Sequence, residues 1–205
     1  MNNNIFKKIE QHEIVLRQYL DNEITLKEFD NKRLEVFDLL IDKIEIIERN
    51  LTSSAFIRTN FENIKFIKSK MRDLMMYEDN LNSTIFKEND MFKSDFRECI
   101  FIKSSFLDCN LEKSEFYDCK FIDCEFKKVN LSHSFFTDCS FNNSKLEKID
   151  IEGASFSETS LNIKMCKSIN VGEHISSQIM NFDISEKGDK SILIQSIDEL
   201  KKYLS

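Results

Sequence analysis

Apolar residues recur along this chain at every fifth position, a spacing that belongs to neither a helix nor a plain strand. The series opens at Leu51, passes through Phe56, Phe61, Phe66, Met71 and Met76, and continues without a miss to Leu161, Cys166 and Val171. At this apolar content, chance would give such a run roughly once in 10^10 trials. A second series lies two residues ahead of the first and is small: Ser94, Cys99, Ser104, Cys109, Ser114, Cys119, Cys124, Val129, Ser134, Cys139 and Ser144. Large and small inward residues alternating with polar ones fit neither the 3.6-residue nor the two-residue period.

Outside the repeat the pattern changes. Ile5, Phe6, Ile9, Leu16, Tyr19 and Leu20 mark one face of an amphipathic helix, which Asp21-Asn22 breaks. Thr25 with Glu28 three residues on is a capping box opening a second helix. Its face would carry Leu26, Phe29, Phe37, Leu40, Ile41, Ile44 and Ile47 at three-and-four spacing and run directly into Leu51. After Val171 the register fails. Ile192-Leu193-Ile194 predicts a short strand, and Ile197, Leu200, Tyr203 and Leu204 an amphipathic helix. Three regions follow: a helical hairpin over 1–49, the repeat over 50–172, and a tail over 173–205.

Composition sharpens the reading of the repeat. The 205 residues include 19 Phe, no Pro and 3 Gly, so the chain must turn regularly without the usual turn residues. Five of the six Cys sit in the small series, which makes them buried thiols and not a disulfide framework. A net charge of −7 argues against indiscriminate binding to phosphate backbones. No apolar run reaches membrane-spanning length and Met1–Lys8 lacks the apolar stretch of a signal peptide, so a cytoplasmic protein is expected.

Units such as Cys109-Asn110-Leu111-Glu112-Lys113 and Ser114-Glu115-Phe116-Tyr117-Asp118 resemble the pentapeptide-repeat family, over about three fifths of the chain. The resemblance implies a mainly β fold, a right-handed quadrilateral β-helix in which four pentapeptides make one square coil of about 20 residues. Coils stack at about 4.8 Å, so about six of them give a rod about 30 Å long. The open ends of such a rod need covering. The helical hairpin and the C-terminal strand and helix are either caps or dimerisation segments. In topoisomerase-protecting members of the family a C-terminal segment dimerises, so both a monomer and a homodimer remain open.

Positions twenty apart share a face, and sorting by face exposes charge that composition hides. The column Leu51, Met71, Met91, Leu111, Leu131, Ile151, Val171 contains no Phe, whereas the other three are mainly Phe. On one face the outward residues Glu78, Glu98, Asp118, Asp138 and Glu158 form an acidic ladder, joined by Asp95 and Glu115. Like charges about 5 Å apart repel by roughly 0.8 kcal/mol in water. The ladder is therefore either a tolerated solvated face or a docking strip for a basic groove. The opposite face carries a basic patch of Lys127, Lys128, Lys145, Lys148 and Lys167, with little aromatic interleaving to support base stacking. Residues 71–90 are the least regular. Leu74, Asp79 and Asn89 occupy small inward slots, which predicts a locally bent coil or a recognition patch.

No catalytic constellation is visible. His12, His133 and His174 lie far apart without metal-ligand spacing, and Gly153, Gly172 and Gly188 are isolated, so no metal, phosphate loop or cofactor is expected. A non-enzymatic module binding a protein partner through its faces fits these residues. The resemblance supplies a narrower alternative, a DNA-mimicking partner of a type II topoisomerase like the Qnr-type quinolone-resistance proteins. Against it stand the unbroken register from 51 to 171, where many Qnr-type proteins have projecting loops, and the N-terminal hairpin, which they lack. A structural or self-assembling module is the third reading. Direct nucleic-acid and membrane binding are not expected.

Overall fold

The computed structural model describes residues 2–162, 166–172, 179–180, 182–185 and 192–204. Nearly all of it is a parallel β-solenoid with four sides. The first side stacks Glu35–Phe37, Ala55–Ile57, Met75–Tyr77, Asp95–Arg97, Glu115–Tyr117, Phe135–Thr137, Ser155–Ser157 and Ile179–Met180. The second runs from Leu40–Asp42 through Ser160–Asn162 to Phe182–Ser185, and the third from Glu45–Ile47 to Cys166–Asn170. Partners are twenty residues apart, as in Val36 with Phe56 and Phe96 with Phe116, so the five-residue series becomes four inward columns.

The aromatic columns pack in two ways. Along a column the rings stack in parallel at the strand spacing: Phe96–Phe116 at 4.8 Å and Phe116–Phe136 at 4.6 Å, Phe86–Phe106 at 4.8 Å. Between columns they meet edge to face, as Phe121–Phe126 does at 5.2 Å and 75°. Each Phe so buries one of the largest apolar surfaces available in geometries that rings favour. The small series lines the corners. There a hydroxyl, thiol or amide donates to the carbonyl twenty-three residues back, as Ser94 does to Met71 and Cys119 to Phe96.

The fourth side differs. Among the described residues it has no strand of its own, its rungs are joined by single bridges such as Asn110–Asn130 until the third-side strands Lys145–Asp150 and Cys166–Asn170 continue into it, and its inward column is the one without Phe. Five of its six described rungs are hydrogen-bonded turns, Ser114 N–H to the Leu111 carbonyl for example, the turn at 71–74 lacking that bond, and all six have positive φ at the third residue, as type II turns require. The residue before each turn is Asn or Asp in every coil but one. Asn110, Asn130 and Asp150 accept from the backbone N–H two residues on, and Asn130 Nδ2 donates to Asn110 Oδ1 one coil below.

The N-terminal hairpin is shorter than the sequence pattern predicts, and the solenoid starts earlier. Helix α1 (Asn2–Leu20) is present, and the capping box forms, with Glu28 accepting from Thr25 N–H at 2.8 Å. Helix α2 then ends at Asp30 (Leu26–Asp30), and residues 35–47 are three strands of a further coil. The boundary at 49 and the count of about six coils are therefore corrected to a start at Glu35 and about seven. Two periods coincide here: 37, 40, 44 and 47 suit a helix face, but Val36, Ile41 and Ile46 continue the five-residue series into Leu51. Val36, Ile41 and Ile46 are buried, while Phe37, Leu40 and Ile47 are 48%, 53% and 46% exposed. Stacking on a ready-made coil buries the β-branched residues and pairs their backbone at once, which an isolated helix cannot do.

Both ends are covered. Ile5 and Ile9 of α1 join the core over Leu34 and Val36. His12, also buried, accepts from Leu34 N–H at 3.0 Å through Nδ1 and faces the Thr52 carbonyl at 3.0 Å through Nε2. Glu13 pairs with Arg49 at 2.8 Å. At the far end the register lengthens, Phe156 pairing with Ile179, and Ile192–Ile194 closes the second sheet in the antiparallel sense. Helix α3 (Ile197–Leu204) buries Leu200 against the last coils, beside an apolar cavity of about 20 Å³ left where Phe gives way to Leu161 and Cys166. The strand and helix expected in the tail are thus present, and Gly188 and His174 lie outside the described residues.

Residues 71–90 make a regular coil and not a bent one. Its strands pair in full register with both neighbours, and Leu74, Asp79 and Asn89 are buried in their slots.

Candidate functional site

The corner after each strand is set by one backbone requirement. The second residue after every described inward centre has positive φ: Arg58, Glu78, Glu98, Asp118, Asp138 and Glu158 on the first side, and likewise on the other three. A β-branched side chain is strained there, and Asp, Asn and other unbranched polar residues tolerate it. None of these corners is β-branched. The acidic ladder is therefore a column of corner residues, whose polarity the backbone demands and whose sign it does not.

That sign is what distinguishes the first side. The early start of the solenoid adds Glu35 and Asp38, so the side carries nine carboxylates against Arg58 and Arg97. Arg58 is engaged bidentately by Asp38 at 2.7 and 3.1 Å. Arg97 holds Asp95 at 2.9 Å and reaches Glu115 at 3.9 Å. Among the described residues, Glu78, Glu98, Asp118 and Asp138 have no cation within 4.0 Å, and Glu158 has a partner. The Glu78 and Glu98 carboxylates push the Tyr77 phenol up to about 12, mainly through the hydrogen bond to Glu78. So the row Glu78, Glu98, Asp118, Asp138 is solvent-facing negative charge with a neutral phenol at its edge.

Aromatic residues lie on the same flat side. Tyr117 and Phe135 are 49% and 52% exposed, on adjacent strands where Phe135 pairs with Glu115 and Thr137 with Tyr117. Sequence inspection missed them, although the signal was available: each flanks an inward Phe, at Phe116 and Phe136, and so must point outward.

The third side carries the lysines, but its charge is largely internal. Lys127 pairs with Glu147 at 3.5 Å and Lys128 with Asp108 at 3.2 Å, while Lys65 meets Glu45 at 2.6 Å in the added coil. Lys145, Lys148 and Lys167 have no carboxylate within 4.0 Å among the described residues. The basic patch is thus two paired lysines beside three unpaired ones, and the polarity between the two sides rests mainly on the acidic one.

Phe92 stands outward on the fourth side, with the Arg72 guanidinium 4.4 Å above its ring and Lys93 and Lys113 at 5.5 and 5.2 Å. A shallow groove beside it is lined by Asp73, Asp95, Glu115, Lys93, Arg97 and Lys113, equal numbers of each sign. Such cations cover an aromatic ring that water would otherwise meet.

The buried thiols are poorly suited to nucleophilic chemistry. Burial pushes Cys109 and Cys124 up to about 11 and raises Cys119 well above the ordinary thiol range, where Cys99, Cys119 and Cys139 stack one above another. Thiols held neutral are poor nucleophiles. Among the described residues no three His, Cys, Asp or Glu side chains are grouped to hold a metal ion. Among them, too, no helix is long and apolar enough to cross a membrane.

Residues 90–171 match the family model of the pentapeptide repeat region. No curated protein matches the chain. Solved structures similar to it include full-length QnrB1, a plasmid-mediated fluoroquinolone resistance protein, at 15% identity over 75% of this chain and 94% of that one, TM-score 0.35. HetL, a pentapeptide repeat protein involved in heterocyst differentiation regulation from the cyanobacterium Nostoc, is 15% identical over 82% and 79%, TM-score 0.28. A pentapeptide repeat protein from the thylakoid lumen of Arabidopsis thaliana is 17% identical over 67% and 80%, TM-score 0.24.

Proposed function

We propose that this chain, whose residues 90–171 match the pentapeptide repeat region, is a non-catalytic module that docks a basic protein partner on its first side. One observation carries this reading. Four carboxylates without cationic partners, Glu78, Glu98, Asp118 and Asp138, stand in a straight row beside the exposed rings of Tyr117 and Phe135. Unpaired charge steers an oppositely charged partner, and exposed Tyr and Phe supply the apolar anchor that charge alone lacks. A stiff shaft presents both without ordering cost on binding.

A narrower form of the same reading is favoured by the spacing. Anions repeating at about 4.8 Å along a rod imitate the even charge row of a nucleic-acid backbone, so the groove of a type II topoisomerase is a partner of fitting chemistry. The covered ends argue against end-to-end assembly, since Leu200 and Ile194 at one end and Ile5 and Ile9 at the other already occupy the faces that would stack.

The test is capture from a bacterial lysate by the wild type and by a Glu98→Lys, Asp118→Lys, Asp138→Lys variant. Lys is accommodated at positive-φ corners elsewhere in the shaft, at Lys68 and Lys128 for example, so the variant is expected to fold. A specific partner lost on charge reversal supports the docking face, and a topoisomerase displaced by DNA supports the narrower form. Capture indifferent to the reversal removes both.

A further inference from the structure

Twelve described corner slots of the shaft, Asn89 among them, share one hydrogen-bonding rule, while Ser134 turns to the Leu131 carbonyl and Thr84 Oγ1 has no partner. The slot side chain donates to the carbonyl twenty-three residues back: Ser94 to Met71, Cys99 to Met76, Ser104 to Leu81, Thr159 to Phe136. Five of the slot hydroxyls also accept from the backbone N–H twenty residues back, as Ser104 does from Thr84 and Ser144 from Cys124. Asn89 does both with one planar group: Oδ1 accepts from Ser69 N–H at 2.8 Å, and Nδ2 donates to the Phe66 carbonyl at 2.9 Å.

Asp79 occupies such a slot, fully buried, one side before Thr84 and two sides before Asn89 in the same coil. Its Oδ1 accepts from Thr59 N–H at 2.6 Å, which is the first half of the Asn89 pattern. The second half is missing, because Oδ2 meets no donor at all. The rule assigns that oxygen to the Phe56 carbonyl, and two acceptors cannot bond unless one of them carries a proton. We infer that Asp79 is held in the folded shaft as a neutral carboxylic acid whose Oδ2–H donates to the Phe56 carbonyl, so that the third coil contains a pH-sensitive rung.

The surroundings favour the neutral form. Burial pushes the Asp79 carboxyl up to about 7, opposed by the backbone of Thr59 and, more weakly, of Tyr77, and aided by the neighbouring Glu78 carboxylate. The other groups on the packed coils offer no compensation: Cys99 follows in the next slot as a thiol, the Tyr77 phenol and Glu98 lie outward, and among the described residues no Lys or Arg pairs with Asp79. Because the folded value is raised, the folded state holds the proton longer than the unfolded one. The stabilisation is complete below the ordinary carboxylate range and is lost as pH rises towards and through about 7.

The experiment compares denaturant unfolding of the wild type and Asp79→Asn from pH 5 to pH 9, which cancels every other titrating group. Asn reproduces the protonated acid, as Asn89 does, and cannot ionise. The expected result is that the wild-type folding constant falls relative to the variant by up to tenfold per pH unit between pH 5 and 7, the gap then holding steady. Parallel profiles would overturn the inference. Should the variant not fold, the carboxyl carbon resonance of Asp79 in the wild type decides: a titration midpoint near neutrality supports the neutral acid, and one in the ordinary carboxylate range overturns it.

Discussion

Three sides of this shaft are sheets and the fourth is a stack of turns, and the two kinds obtain their order from different parts of the sequence. On the sheet sides, three-residue strands pair along the whole rod and rings stack behind them at 4.6 to 5.1 Å. On the fourth, single bridges join most rungs, aliphatic residues replace rings, and an Asn/Asp column, interrupted at Lys70, holds turns and links them from coil to coil. Order on the sheet sides therefore resides in the core, and on the fourth side in surface polar groups. A column that looks like ordinary solvent-facing Asn in the sequence is a structural element.

The sharpest way to break the contrast is to hollow a sheet column. Phe116→Ala removes a ring sandwiched between Phe96 and Phe136 and should cost about 3–5 kcal/mol in denaturant unfolding. The opposite exchange, Leu111→Phe on the fourth side, should also destabilise, by about 1–3 kcal/mol, because the turn leaves no room for a ring. A loss confined to one of the pair would mean that the columns do not differ in available volume.

A smaller effect tests the polar side. Asn130 accepts from Ser132 N–H at 2.9 Å and from its hydroxyl, and donates to Asn110. Asn130→Ala should cost about 1–2 kcal/mol. Asn142→Ala, at an exposed strand position on the second side, should stay within about 0.5 kcal/mol. Equal costs would erase the distinction.

The smallest effect concerns the first turn of the fourth side, which is held by the helical cap. His12 bridges Thr52 and Leu34 as a neutral ring. Burial holds its value below the ordinary imidazole range, with Arg33 acting in the same direction and the Thr52 carbonyl and Glu13 opposing. A lowered folded value means that the unfolded chain takes up the proton first, so this contribution is lost as pH falls below about 6.5. The hydrogen-exchange protection factor of Leu34 N–H, referred to the intrinsic rate at each pH, should fall between pH 7 and 5.5 and lose that dependence in His12→Gln.

The core of the shaft was legible because its period is unlike any competitor, and Phe on that period has nowhere to go but inward. The N-terminal boundary was not, because residues 37 to 47 satisfy two periods and only stacking energy selects between them. The Asn/Asp column at 50, 90, 110, 130, 150 and 170 was present in the sequence at a period of twenty. It was overlooked because polar outward residues invite no structural question. For the candidate docking side, positions were legible and causes were not. Positive φ at the corners explains why Glu98, Asp118 and Asp138 are polar, and only their common sign is left for a partner to explain.

The fixed twenty-residue register has one more consequence. Each five-residue unit advances the chain by a quarter turn, so the shaft behaves as a clock face on which sequence position is an angle. Five residues added at any corner would keep an apolar residue at every inward position, but beyond that point they would carry Phe into the ring-free column of the fourth side. The whole surface beyond that point would be re-indexed, carrying the acidic row round onto the neighbouring side. Selection on such a molecule can therefore tolerate whole coils gained or lost, which keep the phase, far more readily than single units. Partners stay twenty residues apart from Glu35 to Asn170, and the step lengthens to twenty-three only where Phe156 meets Ile179.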